Sequence, residues 1–406
     1  MPQELFHDWN GSADLGELAR AEVLDETLRD GIQSPSAVDP AIEAKIEILH
    51  LLDELGVAQL DLGLPGAGPH QRAAVKRLAE EARDARLRIR LNVACRTLVS
   101  DIAPAADVQQ ETGVPLEVYA FIGSSPIRQY AEEWDLSFIE KQSVEAISFA
   151  VKQGLRVTYV TEDTTRSKPE DLRQLFRSAI DAGARRLCLC DTVGHATPEG
   201  SAALVRFARE VAGPDIGLDW HGHNDRGLAL ANALAAGAAG ATRLHGCAAG
   251  IGERVGNTAC DQLLVNLKLM GHPVYGPRDM SKLVRFVQLA ARVTGHQLPV
   301  NYPVAGSDAF RTATGVHAAA IIKAQRKGDR WLADRIYSGV PAGEFGKQQE
   351  IEIGPMSGLS NVKHWLARHE IPADDPLAKA VLARAKESNR TLTESEVAQI
   401  VREVRS

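Results

Sequence analysis

The sequence predicts an α/β protein: a closed (β/α)8, or TIM, barrel followed by small, mostly helical C-terminal subdomains. Two observations carry that expectation. Eight short apolar segments alternate with helical stretches across the first two-thirds of the chain, and the unusual polar residues follow the ends of those segments. Strict alternation implies parallel strands joined by helical crossovers, and eight such units in about 250 residues fit a closed barrel. An open doubly wound sheet would show a glycine-rich phosphate turn after its first strand, and "LDETLRDGIQSPS" is not that pattern.

Taken in order, the strand candidates are "EVLDETL" (22–28), "VAQLDLG" (57–63), "LRIRLNV" (87–93) and "PLEVYAF" (115–121). Then come "LRVTYV" (155–160), "RRLCLC" (185–190), "IGLDWH" (216–221) and "TRLHGC" (242–247). Between them lie helical stretches such as "PAIEAKIEILHLLDELG", opened by Pro40 and closed by Gly56, and "PEDLRQLFRSAIDAGA", opened by Pro169. A further helix is expected over about 256–270, after the eighth strand. The C-terminal "PADDPLAKAVLARAKESNRTLTESEVAQIVREV" reads as two amphipathic helices, with Thr393 as a cap for the second. The expected organisation is an N-terminal arm (1–20), the barrel (21–275), a linker with a first helical subdomain (276–345) and a second helical subdomain (346–406).

The bulk numbers narrow the class. The chain has 406 residues, 44% of them hydrophobic and 24% charged, with a net charge of -7. Acidic and basic residues are interspersed, so neither a nucleic-acid surface nor a polybasic membrane anchor is expected. The five cysteines, at 95, 188, 190, 247 and 260, form no CxxC pair, and such a scattered set fits a reducing compartment. No secretory signal or membrane-length apolar run is visible, and the expectation is a soluble cytoplasmic protein.

In a barrel of this kind, chemistry belongs at the C-terminal ends of the strands. Arg29, Asp30 and Gln33 follow the first strand, Glu162, Asp163 and Arg166 the fifth, Asp191 and Thr192 the sixth. His221 and His223 end the seventh, in "WHGHNDRGLALANAL", and "GIGERVGN" (250–257) follows the eighth. Side chains at i and i+2 of a strand share a face, so the two imidazoles can reach one object together. A metal ion is the first candidate, with Asp30 as third ligand and Asn257 as a neutral oxygen donor. These residues also have local roles open to them: Asp30 as a turn residue before Gly31, Asn257 as a helix N-cap.

Together "LDETLRDGIQSP", "TEDTTRS", "CDTVGHATPEG", "HGHNDRGLALANAL" and "GIGERVGNT" resemble the isopropylmalate synthase/homocitrate synthase family. The resemblance implies an acyltransferase that condenses acetyl-CoA with a small 2-oxo acid, using a divalent metal ion (Mn, Zn or Mg). The hydroxymethylglutaryl-CoA lyases share the fold and the histidine pair but lack the "GERVGN" pattern. Downstream, "TATGVHAAAIIK" and "DRIYSGVPAGEFG" resemble the family segments that bear a catalytic histidine and a tyrosine, here His317 and Tyr337. In the family these reach over the barrel of a partner chain, which implies a homodimer with shared active sites. The separate regulatory domain of leucine-regulated members is not expected.

The resemblance assigns roles. Asp30, His221 and His223 would hold the ion; Arg29 would stabilise the developing alkoxide; His317 would transfer protons with Tyr337 and Glu162; Thr192 would bind the substrate carboxylate. Gln33, Tyr119, Thr158 and His245 are further substrate-binding candidates. Several of these are departures from the family pattern, as are Glu26 in place of threonine, Ile32, Cys247 and "GPMSG" (354–358) in place of "GKHSG". They fall around the substrate pocket. Homocitrate synthases place an arginine on the fifth strand to pair the second carboxylate of 2-oxoglutarate, and here "VTYVTED" has Thr158 and Val160 instead. An apolar-tailed acid, 2-oxoisovalerate first, is the expected substrate; homocitrate or citramalate synthesis and a carbon–carbon lyase are the alternatives. A catalytically silent barrel would be marked by loss of Arg29, Asp30 or a histidine, and all are present.

Overall fold

The computed structural model describes residues 5–10 and 15–405. It divides into two compact units: Met1–Arg278 with Arg285–Gln297, and Asp279–Val284 with Leu298–Ser406. The first unit is a closed barrel of eight parallel strands. These are β1 (Glu22–Asp25), β2 (Gln59–Asp61), β3 (Arg90–Arg96), β4 (Leu116–Gly123), β5 (Arg156–Glu162), β6 (Arg186–Asp191), β7 (Gly217–Gly222) and β8 (Arg243–Gly246). β1 pairs with both β2 and β8, which closes the ring.

Local chemistry accounts for most of the boundaries. The helix Ile42–Leu55 stops at Gly56, whose φ of 77° lies in the left-handed region that a side chain resists. Pro169 stands first in the helix Pro169–Asp181, where its missing N–H costs nothing. The third strand lies three residues beyond its expected start. Leu87 N–H is spent on Ala82 O, and the N–H groups of Arg88 and Ile89 both donate to Asp53 Oδ1. The first ladder bond is therefore Arg90 N–H to Ala58 O at 3.0 Å. The helix after β8 runs Cys260–Leu269, with Ala259 at its cap, so Asn257 is no helix cap.

The helix Leu283–Thr294 divides differently from the expected 276–345 segment: from Arg285 onward it belongs to the barrel unit. Its end is tied there by Val38 N–H donating to Thr294 O. In the second unit a short parallel pair, Arg311–Thr312 and Glu350–Ile351, accompanies helices over Gly315–Arg326 and Leu359–Arg368. Two further helices, Asp375–Glu387 and Glu394–Arg405, pack their apolar faces into one core with Val362, Trp365 and Leu366. Thr393 and Glu396 cap each other reciprocally at the start of the last helix. No described helix is long and apolar enough to cross a membrane.

Candidate metal centre and barrel-interior network

The loop after β1 is wound tightly. Glu26 N–H donates to Gly246 O, and Glu26 O accepts from the N–H groups of both Arg29 and Gly31. Glu26, Arg29 and Asp30 are thereby aimed at the end of β7. There His221 is the last inward residue of its strand, and His223 is fixed by its N–H to Asp191 O and an antiparallel bridge to Asn257. Asp30, His221 and His223 are all buried.

Their ligand atoms converge. His221 Nε2 lies 3.2 Å from His223 Nε2, and Asp30 Oδ2 lies 3.7 Å and 3.4 Å from those two nitrogens. Donors around one ion with bonds of about 2.0–2.2 Å sit about 3.0–3.6 Å apart; two of the three separations fall in that range and the third just beyond it, so the three atoms could share an ion. Asn257 reaches the same place: its Nδ2 donates to Asp30 Oδ2, while its buried Oδ1 has no partner. A half-turn of the amide would exchange the two atoms.

Opposite charges are closely paired around the centre. The Arg29 guanidinium contacts three carboxylates, those of Glu26, Asp30 and Asp61. Burial opposes ionisation of Glu26, yet Arg29, His221 and His245 together hold its carboxyl well below the usual range. Asp61, where burial outweighs Arg29, is pushed up to about 7. Burial likewise disfavours charge on His221, but Glu26 and Asp30 overcome it and raise its pKa to about 9. Burial and then the charge of His221 push His223 down to about 4. An ion bound here would have to displace the proton that His221 holds.

Beneath this centre lies a charged network. Tyr119 Oη accepts from Arg243 Nη1 at 2.6 Å, and Asp219 accepts from Tyr119 Oη and from Arg186 Nε. His245 Nε2 is 3.2 Å from Asp219 Oδ2, and its Nδ1 is 3.3 Å from Glu26 Oε1. Burial opposes the His245 charge, but Glu26 and Asp219 help lift its pKa to about 10. Thr158 Oγ1 donates to Glu117. Tyr119, Thr158 and His245 thus belong to the interior of the barrel. Val160, part-exposed, packs against Tyr119, Cys188 and Cys190.

The other expected residues divide between the two units. Thr192 stands at the mouth, where its Oγ1 accepts from Asp163 N–H at 2.9 Å and keeps its own proton to donate. Glu162 is half-buried, with Oε1 3.4 Å from Arg128 Nε; burial outweighs Arg128 and raises its pKa. Gln33 is exposed on the turn after Asp30, and Arg254 pairs with Asp225 through two bonds. His317 and Tyr337 meet in the second unit, their rings stacked with centroids 4.0 Å apart. The helix bearing His317 starts at Gly315, where a Cβ would come within 2.7 Å of Gly358 N in the "GPMSG" turn. Sequence reasoning flagged Glu26 only as a departure and passed over Asp219. Asp219 could have been found from the inward alternation of positions 219 and 221 on one strand.

A family model described as HMGL-like matches residues 20–290. Homocitrate synthase AksA of Methanopyrus kandleri is 33% identical over 390 residues, covering 94% of this chain and 92% of that protein. A 2-isopropylmalate synthase of Halothermothrix orenii is 29% identical over 393 residues, covering 95% of this chain and 73% of that protein. Among solved structures, an HMG-CoA lyase from Acenitobacter baumannii, in complex with coenzyme A and 3-methylmalate, superposes with a TM-score of 0.58. At 18% identity over 69% of this chain and 93% of that one, it is a likeness of fold.

Proposed function

The chain belongs to the HMGL-like family, and from that premise we propose that it is an acyltransferase of the 2-isopropylmalate synthase type. Acetyl-CoA, a 2-oxo acid and water would give a 2-alkylmalate and free CoA, with 2-oxoisovalerate as the first-choice acid. The observation that carries the reading is the convergence of Asp30, His221 and His223 donors beside Arg29. Homocitrate and citramalate synthesis are the alternatives within the same chemistry.

A divalent ion held by Asp30, His221 and His223, with Asn257 as a further oxygen donor, would supply Lewis-acid polarisation of the 2-oxo group. Arg29 would stabilise the alkoxide that develops as the new carbon–carbon bond forms, an electrostatic role worth ~3–4 kcal/mol in comparable sites. Thr192, with its free hydroxyl proton, would bind the substrate carboxylate. Glu162 has its pKa raised by burial and stands at the mouth, which suits a proton-transfer group. By the family pattern His317 removes a methyl proton of acetyl-CoA, with Tyr337 stacked on it, and this pair would serve the barrel of a second copy in a homodimer.

Test: metal-reconstituted protein is given acetyl-CoA with 2-oxoisovalerate, and released thiol is measured together with the alkylmalate. Equal amounts of both support the synthase. No release with any 2-oxo acid, together with cleavage of a hydroxyacyl-CoA, would make it a lyase.

A further inference from the structure

We infer that Glu26, which stands where the family pattern has threonine, is the residue that orients metal-binding His221 and sets how tightly the ion is held. The inference rests on the metal reading above. His221 turns Nε2 toward Asp30 and His223, and its other nitrogen, Nδ1, lies 2.6 Å from Glu26 Oε2. Both residues are buried.

The chemistry of the pair fixes its polarity. An ionised carboxylate can only accept, so Nδ1 must carry the proton, and the Nε2 lone pair is left for the ion. The other histidine of the site has no such support, because His223 Nδ1 is buried without a partner. The carboxylate is itself held. Its Oε1 accepts from Arg29 and lies 3.3 Å from His245 Nδ1, and His245 is backed in turn by Asp219. A threonine at this position is two atoms too short to reach the ring.

Glu26, His221 and His245 could also be read as a second ligand set, since their donor atoms lie close together. The distance argues otherwise. At 2.6 Å, Nδ1 and Oε2 are hydrogen-bonded and closer than two ligands of one ion with bonds of about 2.0–2.2 Å. Glu26 is therefore a positioning residue, acting on the ion through His221.

The test is calorimetric titration of metal-free protein with Mn2+ and with Zn2+, for the native chain, Glu26→Gln and Glu26→Thr. Glu26→Thr is expected to weaken binding about 10–100-fold, and Glu26→Gln, which keeps an acceptor oxygen without the charge, by less. One ion per native chain is expected. Unchanged affinity in both variants, or two ions per native chain, overturns the role of Glu26. A merely structural Glu26 would lower the melting temperature of the metal-free variants and leave affinity alone. Should the variants not fold, 15N-histidine spectra of the zinc-loaded native chain decide. A protonated Nδ1 on His221 supports the inference, and a protonated Nε2 overturns it. A native chain that takes up neither ion overturns the metal reading as well, whereas native uptake with unaffected variants sinks only Glu26.

Discussion

Tyr119 donates its phenolic proton to Asp219 Oδ2 at 2.6 Å, linking β4 to β7 across the inside of the barrel. Asp219 also accepts from Arg186 and lies 3.4 Å from Arg243 Nη1. Burial alone would favour a neutral Asp219, but Arg186 and Arg243 hold its carboxyl far below the usual range. Tyr119→Phe removes the bond to Asp219 and the bond from Arg243, but the carboxylate and the guanidinium keep each other, so a loss of about 1.5–3 kcal/mol is expected. Asp219→Ala leaves two guanidinium groups facing each other in the interior and should cost more, about 3–5 kcal/mol. Urea denaturation of both variants checks the order; a Tyr119→Phe loss equal to or larger than that of Asp219→Ala would show that the phenol holds the network.

His223 offers a cleaner separation of metal from fold. Its Nδ1 has no partner, and its Nε2 faces only the other two donors. Truncation therefore removes a ligand while breaking no bond the fold depends on. His223→Ala should emerge folded, with bound metal below about a tenth of the native content, since a three-ligand protein site loses one of its members. Metal analysis of the purified variant, beside circular dichroism, is the check; native metal content would remove this residue from the site.

How much of this could be read from residue order differs from feature to feature. The eight strands were visible because each is a local apolar run, and the convergence of the candidate ligands because His221 and His223 sit at i, i+2 along the end of one strand. The start of β3 was not visible, because the Asp53 carboxylate that takes the N–H groups of Arg88 and Ile89 lies 35 and 36 residues away. Nor was the role of Glu26, whose partner His221 is 195 residues distant. The helix Leu283–Thr294 has an apolar face by composition, but an amphipathic pattern says only that a face is covered, not by which unit.

Asp25, one residue before Glu26, gives a pH signature. It points away from the barrel interior toward Thr27 and Cys260, and burial raises its pKa from 3.8 to about 7 despite the Thr27 bonds. The folded state then binds this proton more tightly than the unfolded chain. Stability from this group is present below pH 3.8 and is lost as pH rises to about 7. Asp25→Asn, which does not ionise, should therefore gain stability relative to the native chain between pH 4 and pH 7.5, by an amount on the order of 2–4 kcal/mol. Denaturation at the two pH values measures it; a difference that does not change with pH would mean that Asp25 ionises as freely folded as unfolded.

The pairing of His317 with Tyr337 outside the barrel unit bears on assembly. If the pair serves the barrel of a second copy, Arg29→Ala and His317→Ala chains, each inactive alone, should recover activity when mixed. In a random dimer about half the molecules are mixed, and each has one intact site, so about a quarter of native activity is expected. Subunit exchange is followed independently with two fluorescent labels. Full exchange without recovery would place both residues of a working site in the same chain.

The substrate prediction turns on which cations are free. A second carboxylate on the oxo acid needs a partner, because burying it unpaired is costly. On β5 the positions toward the mouth are Thr158, bonded to Glu117, then Val160, then Glu162; the strand's one cation, Arg156, stands at its opposite, N-terminal end. Arg96, the last residue of β3, and Arg128, in the short helix Pro126–Glu132, are both engaged. Arg96 grips Asp101 through two bonds of 2.7 and 2.8 Å, and Arg128 is shared between Glu132 and Glu162. Arg29 already meets three carboxylates. Val160, packed against the small apolar cluster of Leu24, Tyr119, Cys188 and Cys190, offers a branched hydrocarbon tail an apolar neighbour instead. We expect kcat/KM for 2-oxoisovalerate to exceed that for 2-oxoglutarate by about 100-fold or more, corresponding to about 2.7 kcal/mol of unpaired-charge penalty. A native enzyme that prefers 2-oxoglutarate to every monocarboxylic acid tested would mean that one of these ion pairs opens to receive the substrate.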